Sequence, residues 1–341
     1  MDTFLQTLIN NDTKLANFTS DQELIQQGLA PLIAQTSRSI TIQKANLLEK
    51  VKLQNWKKKA PLIFTEFNKS SIDFLVFKGF AFTFILYQNT HLRPYSDIDI
   101  IIDKSDYQKV KSILIDLGYK QLQSRQGQFV SFQNSFYDEG SPQSVIDVHW
   151  QINNRIEFHK HFHFKELYKK CFQVTIENIN FKTLSLTDAF ILGCFHYQAH
   201  RPSDRNHIWL YDLALLWMKM NQTEQTNCID KSRTTNQSQI VLGTLRLINE
   251  TFVNCMTIDF DLSELNSEST EYYLNKRKNK MTDIKTRLSH VSGIKNKFKF
   301  ISEYMFQNKI YVKRRFRVDS NLWVYLYYPK MWIEDFLKLF K

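Results

Sequence analysis

Phe77-Lys78-Gly79-Phe80-Ala81-Phe82 is followed, 15 residues after Phe82, by Asp97-Ile98-Asp99-Ile100-Ile101-Ile102. The first string closes a short apolar strand, Phe74 to Phe77, with Lys78-Gly79 as its end and helical character over Phe80–Tyr87. The second reads as a strand with its polar residues at one end. Side chains two apart on a strand share a face, so Asp97 and Asp99 project together. Two carboxylates that close repel, and a cation between them relieves the repulsion; oxygen-only ligands favour Mg²⁺ or Mn²⁺. A third acid, Asp147, lies in the apolar strand Val145-Ile146-Asp147-Val148-His149-Trp150. If that strand lies beside the first, three carboxylates converge, an arrangement that holds two divalent ions about 3.5–4 Å apart. Gly79 lets a ligand approach the backbone, and the helix N-terminus after it offers N–H groups to a phosphate. Lys78 and Arg93 add positive charge nearby. A D-x-D pair alone is commonly a solvated strand end, whereas a carboxylate inside an apolar strand needs a partner.

Outward from these strings, residues 2–59 read as helical, Pro61 punctuates, and 61–69 resume a helical turn or two. A helix is expected over Ser105–Leu117, with Ser105 or Asp106 as N-cap and Gly118 just past its end. Strands follow near 119–123, 128–137 and 144–151, then a hairpin over 172–183 turning at Glu177-Asn178. From Ser185 to about Phe252 the pattern is helical, interrupted by a polar stretch at 221–239. The expected fold is α+β, a small mixed β-sheet within 72–184 embedded in a mostly helical chain. The expected regions are an N-terminal helical part (1–59), a sheet-bearing catalytic domain (60–184), a helical domain (185–256) and a basic, aromatic C-terminal part (257–341).

The segments V-F-K-G-F-A (76–81), R-P-Y-S-D-I-D-I-I-I (93–102), L-G-Y (117–119) and I-D-V-H-W (146–150) together resemble the nucleotidyltransferase superfamily of DNA polymerase β type. The resemblance is closest to its group described as uncharacterised nucleotidyltransferases, whose later helical segment is matched by His196-Tyr197-Gln198-Ala199-His200 and Trp209-Leu210-Tyr211-Asp212-Leu213. It covers roughly 60–255. It implies the polymerase β-type fold and Mg²⁺-dependent transfer of a nucleoside monophosphate from an NTP such as ATP, with release of pyrophosphate. Asp97 and Asp99 would hold both metals, Asp147 would ligate the catalytic one, and Lys78 and Gly79 would cradle the triphosphate. His196, His200 and Asp212 would contact nucleotide or acceptor. The acceptor is open: a small molecule or sugar intermediate is favoured, with a protein or tRNA acceptor, as in a toxin-like enzyme, as the alternative. The superfamily's turn commonly reads Gly-Gly or Gly-Ser, but here Phe80 follows Gly79. A bulky side chain there would crowd a phosphate, which supports a rival reading as a non-catalytic nucleotide-binding protein.

Other features carry less. His196 and His200 share a helix face, which also suits a buried or capping pair. His159, His161 and His163 would line one face of a strand, yet no cysteine or carboxylate at zinc spacing accompanies them. Composition is globular: of 341 residues 43% are apolar and 23% charged, with 8 Gly and 6 Pro, which excludes disordered, collagen-like and low-complexity classes. The net charge of +11 resides in residues 276–317, which hold 14 Lys/Arg against Asp283 and Glu303. That stretch, with the aromatic tail 321–341, suits RNA or an anionic membrane surface as much as a solvated face. Four cysteines without a C-x-x-C pair suit a reducing, cytoplasmic setting. No leader-like N-terminus and no run of about 18 apolar residues is evident.

Overall fold

Phe74–Phe77 (β1) is buried along its whole length, as a strand in a sheet covered on both faces is. The computed structural model describes residues 3–122, 129, 131–152, 156–159, 161–200, 204–253, 255, 280–318 and 322–337. Beside β1 run Asp97–Ile102 (β2), Tyr119–Gln121 (β3), Gln133–Asp138 (β4), Ser141–His149 (β5), Phe172–Ile176 (β6) and Ile179–Thr183 (β7). They form one seven-stranded sheet in the order β3-β4-β5-β2-β1-β7-β6. The β2–β5 and β1–β7 pairs are parallel and the rest antiparallel, so the sheet is mixed, as the sequence predicts. The expected hairpin is β6–β7, with Glu177 at φ 54° in its turn.

The expected break at Pro61 does not occur. Ile40–Lys69 (α1) is one helix with Pro61 inside it. A proline within a helix costs about 3 kcal/mol, but α1 buries Trp56, Ala60, Ile63, Phe64 and Phe67. Phe64 and Phe67 meet Phe74 at ring-centroid distances of 5.3 and 5.4 Å, and such burial outweighs the lost hydrogen bond. Ahead of α1 the N-terminal helical region is broken into short helices, with Gly28 at φ 73°.

Lys78–Ile85 (α2) begins directly after β1, and Tyr107–Asp116 (α3) follows β2. Asp106 takes the N-cap position of α3, as expected, but without a side-chain cap bond; the bonded cap is Asp103, which opens the preceding 3-10 turn Lys104–Asp106 and accepts from the Ser105 N–H at 3.0 Å. Gly118 ends the helix at φ 89°, as expected. The second helical region holds Leu186–Ala199 (α4), Ile208–Lys219 (α5), Gln222–Thr234 (α6) and Ser238–Thr251 (α7). The polar stretch at 221–239 is thus largely a helix. Asn221 and Glu224 cap it reciprocally, and it buries Cys228, Ile229 and Ser232.

One hydrophobic core runs from Leu5 through the sheet to Phe252. A separate cluster of Val312, Val324 and Met331 holds the C-terminal helices Lys309–Phe316 and Tyr327–Leu337 together. Positions 123–128, 256–279 and 338–341 lie outside the described residues, including most of the basic run at 276–280. No helix among the described residues is long and apolar enough to cross a membrane.

Candidate active site

The register sets the site. Asp99 on β2 stands beside Asp147 on β5, with His149 two residues further along. Phe77 on β1 pairs with Asp99 from the other side, and Gln133 on β4 pairs with His149. Strand alternation aims all of these, with Asp97, at one face. The expected convergence of three carboxylates therefore rests on β2 and β5 being parallel neighbours.

Asp99 is 5% exposed and doubly held. Lys78 Nζ lies 2.7 Å and His149 Nε2 2.8 Å from its Oδ1. Burial alone would raise its pKa; the Lys78 ammonium and the bonded His149 override that and hold it well below the usual carboxylate range. Asp97 is its opposite. Burial, then the charges of Asp99 and Asp147, push its carboxyl up to about 7. Asp147 accepts from Gln133 Nε2 at 2.9 Å through Oδ2, while its Oδ1 is buried with no partner among the described residues. Ligand atoms of Asp99, Asp147 and His149 all lie within 4.8 Å of one another. Asp97 is not in that group, so the tightest set is two carboxylates and an imidazole rather than the three expected carboxylates. A buried orphan carboxylate oxygen beside an ionised carboxylate fits a divalent cation.

Lys78 adopts φ 58° at the mouth of α2, a conformation that costs a non-glycine residue about 1–3 kcal/mol and gathers at functional sites. It carries the chain from β1 into α2 while turning its ammonium back to Asp99. A side chain at Gly79 would be tight: a Cβ would sit 3.2 Å from Tyr95 Cβ and 3.5 Å from an Arg93 guanidinium nitrogen. Phe80 does not crowd the turn, contrary to expectation. Its ring is fully buried, edge-on to Trp56, Phe64, Phe84 and Tyr95.

Arg93 is joined to Asp212 of α5. Its Nε donates at 2.8 and 2.9 Å and its terminal nitrogen at 2.6 Å, while the Tyr87 hydroxyl donates to the same carboxylate at 2.9 Å. The guanidinium also reaches the Pro94 carbonyl. Arg93 and Asp212 are 6% and 2% exposed. The pair ties the helical region to the loop that leads into Asp97.

His196 and His200 do share a face. Their rings lie 4.7 Å apart, and Trp209 meets them at 4.5 and 4.9 Å. Burial, then the Lys78 charge, push the His196 imidazole well below its ordinary range. His159 ends a short helix, Ile156–His159, so the three alternating histidines do not line a strand. The site residues surround one cleft of about 750 Å³, with Lys78, Gly79, Asp97, Asp99 and Asp147 toward the sheet and His196, His200 and Trp209 from the helical region. Glu49 and Lys52 of α1 also line it. Sequence reasoning left out Gln133, Trp209 and these two. His149 appears in the sequence only as part of the Asp147 strand; its 2.8 Å contact with Asp99 comes from the structure. The partners of Asp147 and Asp99 follow from strand register, which the motifs do not encode.

A model of the family described as uncharacterised nucleotidyltransferase matches residues 23–253. No curated protein matches the sequence. The chain is similar to the solution structure of the antibiotic-resistance factor ANT(2'')-Ia, at 13% identity over 51% of this chain and 89% of that one, with a TM-score of 0.38. For the lincomycin-bound lincosamide antibiotic adenylyltransferase LnuA the values are 18%, 46%, 95% and 0.32. For an antigenic nucleotidyltransferase-like protein from Paracoccidioides brasiliensis they are 14%, 53%, 90% and 0.31.

Proposed function

The chain belongs to the family of uncharacterised nucleotidyltransferases, and on that premise we propose that it moves a nucleoside monophosphate from an NTP, ATP first among them, to the hydroxyl or phosphate of a small acceptor. The observation that carries this reading is the juxtaposition of ionised Asp99 with the orphan oxygen of Asp147 at the sheet side of the cleft. Asp97, Asp99 and Asp147 would hold Mg²⁺ or Mn²⁺, and His149 would keep Asp99 oriented through its 2.8 Å contact. When bound, the ion supplies Lewis-acid stabilisation of phosphate charge.

The chain's own residues account for the rest. Asp147, steadied through one oxygen by Gln133, would take the proton from the acceptor hydroxyl. The acceptor oxygen would then bond to the α-phosphorus as pyrophosphate leaves. Lys78 would follow the phosphates, and Gly79 would let them approach the backbone. The aromatic wall of His196, His200 and Trp209, whose rings are mutually inclined, offers ring faces and edges to a base or acceptor ring. A cleft of about 750 Å³ suits a small molecule rather than a folded partner. The buried position of Phe80 removes the steric objection that favoured a non-catalytic reading.

The test is calorimetric titration with each of the four NTPs, with and without Mg²⁺, followed by mass spectrometry of the recovered protein. One NTP is expected to bind only with Mg²⁺, and Asp99→Asn or Asp147→Asn to abolish that binding without unfolding the protein. Retained Mg²⁺-dependent binding in both variants overturns the assignment. A mass gain of one nucleotide would replace the small acceptor with a protein hydroxyl.

A further inference from the structure

The C-terminal helix Ile294–Met305 presents two unlike faces. Phe300, fully buried, points inward, and one turn on Glu303 accepts the Phe129 backbone N–H at 2.8 Å. Ile294, Phe298, Ile301 and Met305 follow at the spacing of one helical stripe. They are 73%, 69%, 40% and 40% exposed. At about 100° per residue, this stripe is centred some 130° away from Phe300. Lys297 flanks it on one side and Lys295 and Lys299 on the other, all three exposed. The acid of this helix thus faces the protein, while the outward surface combines apolar side chains with a basic border.

Just past the end of this helix lies a second exposed apolar group. Phe306, 59% exposed, packs at 5.4 Å on Trp332 and 6.4 Å on Tyr328, whose ring lies 6.3 Å from the 52%-exposed Tyr325. Lys309 Nζ sits 4.6 Å over the Tyr325 ring. Isolated exposed apolar residues need no explanation, but a four-residue stripe bordered by lysines does.

We propose that this face lies on an anionic lipid bilayer, with the helix parallel to the surface. The stripe would enter the acyl boundary, and the lysine stems would lie along it with their ammonium groups in the headgroup layer. Charge complementarity names the partner: exposed Lys295, Lys297 and Lys299 border the stripe while Glu303, the acid of this helix, is turned to Phe129, leaving a basic outer surface that anionic headgroups attract. Nucleic acid would answer the charge but gives Ile294, Ile301 and Met305 nothing apolar to bury them. The cleft is built from other elements, so this inference stands apart from the catalytic reading.

The experiment is flotation of the full chain with phosphatidylcholine vesicles containing or lacking a third of phosphatidylglycerol, and separately binding of single-stranded RNA at the same salt. Flotation with the anionic vesicles alone is expected. The double variant Ile294→Ser, Phe298→Ser should lower the bound fraction at least tenfold with an unchanged melting temperature, since both side chains are exposed. Lys295→Gln with Lys297→Gln should weaken binding and flatten its salt dependence. Failure to float with anionic vesicles, or flotation unaffected by the Ser substitutions, overturns the proposal. RNA binding that the Ser substitutions leave intact, in place of flotation, makes the face a nucleic-acid contact instead.

Discussion

Asp97 and Asp99 differ by two positions and stand at opposite ends of the acid scale. Asp99 has two cationic or donor partners; Asp97 has a Ser96 hydroxyl at 3.2 Å and two like-charged neighbours. Its folded-state pKa of about 7 exceeds its ordinary value of 3.8. The folded state therefore holds this proton more tightly, and stability falls as pH rises from 3.8 through about 7. Asp97→Asn should raise the melting temperature of the ligand-free protein at pH 8 by about 2–4 °C, the response to ~1 kcal/mol, with little change at pH 4. A fall at pH 8, read by calorimetry, would remove the assigned repulsion. Lys78 gives a second prediction at this scale. Its φ of 58° suits glycine, so Lys78→Gly should be more stable than Lys78→Ala by about 1 kcal/mol in urea unfolding. Both should lose the ion pair to Asp99, which makes the difference between them a backbone term alone.

Two buried polar knots fasten elements to each other. One is Arg93 with Asp212, which binds α5 to the loop ahead of β2. Removing one partner of a buried pair strands the other's charge, so Asp212→Ala should cost about 3–5 kcal/mol and weaken nucleotide binding through displacement of that loop. The second is Asp12, which meets His207 Nε2 at 2.6 Å and the Tyr211 hydroxyl at 2.8 Å. It pins the N-terminal helices to α5. Burial would raise the Asp12 pKa, but its bond to His207 lowers it below the ordinary 3.8. A depressed carboxylate stabilises the fold above that value, and this contribution is lost as pH falls through the folded pKa. Asp12→Asn should lower the melting temperature at pH 7 and flatten its decline below about pH 4. The elements themselves were mostly legible. Apolar strings gave β1, β2 and β5, and turn chemistry gave the β6–β7 hairpin. Pro61 and the polar 221–239 misled, because burial overrode local propensity in α1 and reciprocal capping supported α6. Arg93 and Asp212 were each conspicuous, but their pairing joins residues far apart in the chain, which no local pattern reveals.

The whole molecule divides by its hydrophobic clusters. The sheet, α1 and α4 to α7 share one core, while the last helices close over Val312, Val324 and Met331. A chain ending at 256 should therefore unfold cooperatively and keep the Mg²⁺-dependent nucleotide binding proposed above; loss of that binding on truncation would assign the C-terminal part to the cleft. The charge asymmetry follows the same division, since nearly all the excess positive charge belongs to the part outside the large core.

An ammonium already stands where the carboxylates call for a cation. Lys78 is bonded to Asp99 from within the chain, so loading the proposed metal site would be an exchange of one positive charge for another, not an addition. A tethered occupant leaves most readily when something else claims it, and a triphosphate is such a claimant. Titration with Mg²⁺ alone should then give weak saturation, and nucleotide and Mg²⁺ should each tighten the other's binding. Lys78→Met should remove the competitor, strengthening metal binding in the absence of nucleotide and reducing that mutual dependence to what the ion's own attraction for phosphate supplies.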